Sequence, residues 1–221
     1  LMSLDVRTLF VVIIALSLLD AAALAFIAWR RHPELRPWAL GPLLQGVGYM
    51  LLSLRGQAPD WLTVVVANGV TISCISMYTV GIARLQGIAP PWRAAFAPVL
   101  VQSIAFAALL DDIRARVVVG AAVMTWLIGQ MLWMLWRRRH VTPGRGQYVL
   151  IVACLPMLLM LLLRGGLTLT GAVDTPTLTH ASTLQSALFM TSAMSLVLVA
   201  VGAVMMMQDR TEEALRRSEA R

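Results

Sequence analysis

Long apolar runs, broken by short links that carry Arg and Pro, set the pattern of this chain. A helix needs about 20 mostly apolar residues to cross a hydrocarbon layer. Seven stretches come near that length and predict helices over residues 8–29, 38–54, 61–83, 94–110, 117–136, 147–170 and 184–208, the second and fourth being the shortest. The last does not stop at a turn. Residues 209–221 hold no Gly or Pro and favour helix. Glu212–Arg216 and Glu213–Arg217 stand there at i,i+4 in the stabilising order. Met207, Ala214 and Leu215, with Val204 upstream, lie near heptad spacing, over too few turns for a coiled coil. Two readings stay open for this tail: a solvated helix end, or a helical arm that leads to a further domain.

The links predict a direction. Arg30, Arg31 and Arg36 follow the first stretch, Arg84 and Arg93 the third, and Arg137, Arg138, Arg139 and Arg145 the fifth. Arg210, Arg216, Arg217 and Arg221 follow the seventh. The alternate links are poorer: Arg55 after the second, Arg114 and Arg116 beside Asp111 and Asp112 after the fourth, and none after the sixth. Basic links lie on the cytoplasmic side, so the alternation predicts an outside N-terminus and a cytoplasmic C-terminus. It also demands an odd number of spans. Leu9–Leu19 with Ala21-Ala22-Ala23 behind it resembles a signal peptide. Arg30 and Arg31 after the run outweigh Arg7 before it, however, and the run is too long for that role.

Composition narrows the class further. Of 221 residues, 59% are hydrophobic and 13% are charged, where a soluble domain has about a quarter charged. A soluble enzyme, a disordered chain and a disulfide scaffold are thereby set aside. The net charge of +7 comes from 18 basic residues, all Arg, against 11 acidic ones. In a soluble protein that balance would suggest nucleic acid. Here the arginines sit between apolar runs, which the topology rule explains, so no nucleic-acid partner is expected. The expected fold is all-α: a polytopic seven-helix bundle over residues 1–208, in contact with a lipid bilayer, followed by a cytoplasmic helix from 209 to 221.

Ionisable groups at membrane depth are functional candidates. Asp20 in the first stretch and Arg164 in the sixth are such groups, and two readings compete for them. In one, Asp20 and Arg164 form a structural ion pair, which needs their helices to be neighbours. In the other, Arg164 belongs to a pocket. Gln45 and Tyr49, Asn68 and Thr71, Gln102, Thr125, Thr191 and Ser195 lie at similar depth on five other stretches. Gln45 and Tyr49 share a helix face, as do Asn68, Thr71 and Tyr78. A guanidinium among such groups holds an anion bidentately. The predicted ligand-binding set is Arg164, Asn68, Tyr49, Gln45, Thr71 and Gln102. Its ligand is small and amphipathic or anionic, and a fatty-acid-like signal fits. The competing role for these side chains is hydrogen bonding between helices.

Other residues read more simply. Cys74 and Cys154 fall in apolar runs and read as small buried hydrophobes. Gly41, Gly46 and Gly48 permit close helix approach, and Pro42, Pro98 and Pro156 free carbonyls or kink their helices. Trp29, Trp38, Trp61, Trp92 and Trp136 fall at predicted span ends, as an interfacial belt would. No Lys is present for a retinal Schiff base, and His32, His140 and His180 lie in links rather than at haem depth. No Cys/His cluster has zinc spacing. No cofactor, metal or catalytic residue is therefore assigned.

Three segments carry a family resemblance. Leu54-Arg55-Gly56 through Pro59-Asp60-Trp61-Leu62, then Val66-Ala67-Asn68, then Ile82-Ala83-Arg84-Leu85-Gln86-Gly87 resemble the membrane-sensor part of bacterial diguanylate cyclases with GGDEF output domains. Similar membrane parts occur in sensor histidine kinases. The tail from Glu212 to Arg221 looks like the linker before a PAS, GGDEF or kinase domain. The resemblance implies a bacterial inner-membrane input module without catalysis of its own, working as a homodimer and feeding an output domain beyond residue 221. The alternatives are a histidine-kinase sensor and a stand-alone small receptor or transporter.

Overall fold

The computed structural model describes residues 6–30, 32–140, 144–171 and 183–219; the side chains of residues 6, 7, 29, 30, 183, 214 and 217 lie outside that description. Among the described residues there is no strand. Helix α1 spans Val6–Arg30, and a single 3-10 turn, Pro33–Leu35, leads into α2, Arg36–Ser53. A π-helical turn, Trp61–Val66, opens α3, Ala67–Leu85. Then come α4, Trp92–Ala108; α5, Ile113–Arg137; α6, Gly146–Leu169; and α7, Thr183–Glu219. Each predicted stretch is a helix, with ends moved by a few residues. The tail is helical too, since α7 runs unbroken for 37 residues.

Five segments are long and apolar enough to cross a membrane: Thr8–Ala28, Trp61–Leu85, Ile113–Arg137, Gly146–Leu169 and Leu184–Glu213. Two of the seven expected spans fall short of that standard. Helix α2 has 18 residues, but Arg36, Gln45, its glycines and its prolines dilute its apolar content. Helix α4 has 17 residues and is simply short. The exterior is that of a membrane-seated bundle, with Phe26 at 78% exposure and Leu159 at 62% standing on bare helix faces.

Six helices form a closed ring in the order α1, α2, α3, α5, α6, α7, with α7 packed back against α1; α4 flanks the ring against α3 and α5. Helices consecutive in the chain run antiparallel, while α3 with α5 and α1 with α7 run parallel. Gly41 faces Tyr78, Gly48 faces Thr71 and Gly81 faces Trp38 along α2 and α3. At Gly48 the approach is close enough that a Cβ would fall 3.0 Å from the Ala67 carbonyl oxygen, which is the reason for a small residue there. Between α6 and α7, a Cβ at Gly146 would strike the backbone at Met206.

Proline and serine are paired twice. Pro98 lies inside α4 and Pro156 inside α6. Three residues before each, a carbonyl accepts from a hydroxyl on a neighbouring helix. Ser76 Oγ donates to the Ala95 carbonyl at 2.6 Å, and Ser195 Oγ donates to the Ala153 carbonyl at 2.8 Å.

The core is dense at one end. Leu24, Trp38, Ile82, Leu85, Met131, Leu135, Leu150 and Met206 pack together there. Trp38 corrects the expected interfacial belt. It is fully buried and lies 5.5 Å from the Tyr78 ring in a stacked arrangement. Trp61, Trp92 and Trp136 are exposed, while the Trp29 side chain lies outside the described residues.

At the dense end α7 is fastened on two sides. Asp209 Oδ2 accepts from Gly146 N at 3.1 Å, at the N-terminus of α6. Arg210 Nη1 donates to the Arg84 and Leu85 carbonyls at 3.1 and 3.0 Å, at the C-terminus of α3. That terminus is a Schellman turn: Gly87 takes a φ of +68°, Gly87 N donates to Arg84 O, and Ile88 N donates to Ala83 O. Each charge sits at the helix end whose dipole it complements. In the tail, Glu212 and Arg216 are exposed and do not form their expected ion pair. The Arg217 half of the other pair lies outside the described side chains.

Candidate functional site

At the end opposite the fastening, the ring encloses a cleft of about 970 Å³, its open mouth included. The cleft exists because one face of each helix lines it. On α3 the positions are Val64, Asn68 and Thr71; on α5 they are Ile113, Arg116, Val117, Gly120 and Met124. On α6 they are Met157, Leu161 and Arg164, and on α7 Gln185, Leu188, Phe189 and Ser192. All recur at three or four residues, the spacing of one helix face. Tyr49 and Leu52 of α2 and Phe10 of α1 close the wall. Phe10, Tyr49 and Phe189 meet edge-to-face, with ring centroids 5.0–6.1 Å apart.

A second, smaller chamber continues towards the dense end and shares Tyr49, Thr71, Met124, Met157 and Ser192 with the cleft. Its wall combines Met, Leu, Ile and Val side chains with Gln45, Cys74, Cys154 and Ser195. Cys74 Sγ donates to Gln45 Oε1 at 3.3 Å. Both cysteines are buried and free.

Of the predicted set, Arg164, Asn68, Tyr49 and Thr71 line the cleft, and Gln45 lines the deeper chamber. Gln102 lines neither. It is buried on α4, outside the ring, and its Oε1 has no partner. Ser195 reaches the deeper chamber; Thr125 and Thr191 line neither. Two of the polar groups spend donors on their own helix: Asn68 Nδ2 donates to Val64 O at 2.7 Å, and Thr71 Oγ1 to Ala67 O at 2.8 Å. Val64 lies within the π-helical turn, a distortion that often marks functional sites.

The alternative ion pair is not formed. Helix α7 packs between α1 and α6, and Asp20 makes no salt bridge with Arg164. Asp20 Oδ2 is buried with no hydrogen-bond partner.

Sequence reasoning missed two cleft residues, Arg55 and Arg116. Both had been counted as link arginines. Asp112 caps α5, its Oδ1 accepting from Ala115 N at 2.9 Å. The helix therefore begins early enough to carry Arg116 inside. Arg116 is 7% exposed and its Nε has no partner. Arg55 is a like charge near it; the carboxylates in its field, Asp60, Asp111 and Asp112, are all exposed at the surface. Neither Arg116 nor Arg164 makes a side-chain hydrogen bond or ion pair among the described residues. The signal for Arg116 was its spacing, one turn before Gly120 and two before Met124. A buried guanidinium without a counter-ion costs several kcal/mol, and Arg116 is the buried one of the three cleft arginines.

Among the described residues no three His, Cys, Asp or Glu side chains come together as a metal site. No protein-family model matches the chain, and no curated protein and no solved structure matches it either.

Proposed function

We propose that the chain is the ligand-sensing input module of a bacterial membrane signalling protein. In this reading all seven helices cross the inner membrane, the cleft opens outward, and α7 leaves into the cytoplasm. Helices α2 and α4, about 27 and 26 Å long at 1.5 Å per residue, are a few ångströms short of a hydrocarbon layer. Local thinning corrects such a mismatch for fractions of a kcal/mol per Å. The ligand is small, amphipathic and anionic, held by Arg164 with Asn68 and Tyr49 beside it. The output is a cytoplasmic diguanylate cyclase domain working as a dimer.

One observation carries the reading. A single unbroken helix, α7, lines the cleft at Gln185, Leu188, Phe189 and Ser192, is fastened at Asp209 and Arg210, and continues to Glu219. Whatever fills the cleft therefore touches the same rigid rod that leaves the bundle.

The test uses the whole gene product in proteoliposomes. Conversion of GTP to a cyclic dinucleotide, altered by Arg164→Gln, is the expected result. Autophosphorylation from ATP instead would assign a histidine kinase. Neither activity would leave a stand-alone receptor or transporter and sink the cyclase reading.

A further inference from the structure

We infer that the two connected chambers bind one long-chain monocarboxylate, its head against Arg116 and Arg164 and its alkyl chain running down the deeper chamber to a floor formed by Tyr78, Met131 and Val199. This rests on the proposed sensing site and names the ligand it takes and the residues that measure it.

The head is assigned by charge. Arg116 is more than nine-tenths buried, lines the cleft and has an unpartnered Nε. Arg164 lines the same cleft from α6, with no carboxylate paired to it among the described residues. Arg116 on α5 and Arg164 on the neighbouring α6 both line the cleft, and a carboxylate accepts from guanidiniums. Hydrogen bonds between charged groups of this kind are worth about 10–150-fold in affinity each.

The chain is assigned by shape. Below Tyr49 and Thr71, Met124, Ile128, Met131, Met157, Leu196 and Val199 supply apolar surface suited to an alkyl chain, with Gln45, Cys74, Cys154 and Ser195 beside them. On α5, Val117 beside Arg116 and Met131 at the floor stand about 21 Å apart at the helical rise. Carbon–carbon bonds of about 1.5 Å advance an extended chain by about 1.3 Å per carbon, so the passage takes a chain of about 12–16 carbons. Beyond the floor, Leu135, Leu150 and Met206 pack without space.

The experiment measures binding directly, with the full chain in lipid nanodiscs and empty nanodiscs as the partition control. The probes are n-alkanoates from hexanoate to octadecanoate, dodecanol, and dodecyl phosphate. Affinity referred to the aqueous concentration should rise about fourfold per methylene and level off once the chain reaches the floor. Dodecanol should bind at least about tenfold more weakly than dodecanoate. Arg116→Gln should weaken dodecanoate by about 10–100-fold and leave dodecanol unchanged. Val199→Phe should move the plateau to shorter chains and Met131→Ala to longer ones, so two variants with opposite signs guard against a folding defect. Equal affinity for dodecanol and dodecanoate would overturn the head assignment. A plateau that neither floor variant moves would overturn the chain assignment. Tighter binding of dodecyl phosphate would replace the carboxylate by a phosphate head. Because binding is read without any output, these results stand or fall separately from the signalling reading.

Discussion

Single side chains decide what the charges in this bundle are for. Among the described residues Asp20 has no cationic partner and Arg164 has no anionic one. Asp20→Asn should therefore leave thermal stability in detergent within about 0.5 kcal/mol of the parent, or raise it. A loss of about 3–5 kcal/mol, the signature of a broken buried pair, would restore the ion-pair reading. The site was partly legible in the sequence. Tyr49, Asn68, Thr71 and Arg164 announced themselves as polar groups within apolar runs, and they meet at the cleft. Arg116 and Arg55 did not, because an arginine near a run's end has a sufficient explanation in topology. Gln102 was drawn in wrongly, since depth along a helix says nothing about which way the helix faces. Trp38 failed for a related reason. A position near a helix end resembles an interface, yet this indole is packed under Tyr78.

Helices were easier to foresee than their neighbours. Apolar runs ended by Pro, Gly and Arg fix where each begins and stops. The order around the ring was hidden, because core-facing and lipid-facing positions are both apolar and no helix shows a polar face to point away from the core. The serine–proline pairs hold parts of that order in place. Ser76→Ala and Ser195→Ala should each cost about 0.5–1.5 kcal/mol in reversible unfolding. The double variant should cost the sum, the two contacts sharing no residue. Costs near zero would mean the carbonyls before Pro98 and Pro156 need no partner. At the other end of α7, Arg210→Gln removes both bonds to the α3 terminus. Amide hydrogen exchange around residues 205–212 should then accelerate by about tenfold or more, while exchange near Phe189 stays unchanged. Equal acceleration along all of α7 would show that the contact supports the whole bundle instead.

For the molecule as a whole, orientation and partnership remain to be read out. Reporter fusions at Ser218 should be active on the cytoplasmic side, and those placed at Asp111 on the outside. The reverse pattern would refute the direction inferred from the arginines. Leu215 is 59% exposed beyond the fastening. Leu215→Cys should crosslink two copies in membranes with an oxidant, the native Cys74 and Cys154 being buried. A chain that stays monomeric in both lipid and detergent would argue against paired output helices. The fastening has a mechanical consequence of its own. Asp209 and Arg210 are adjacent, so their side chains leave α7 about 100° apart and are held by two different helix ends. One pin lets a rod swing, but two pins fix its azimuth. A small twist lengthens both sets of hydrogen bonds together, and such bonds weaken steeply with distance and angle. The rod therefore keeps its phase until both pins release. Anything attached to it receives a step rather than a gradient, with the threshold set by two helix caps rather than by the affinity of the cleft.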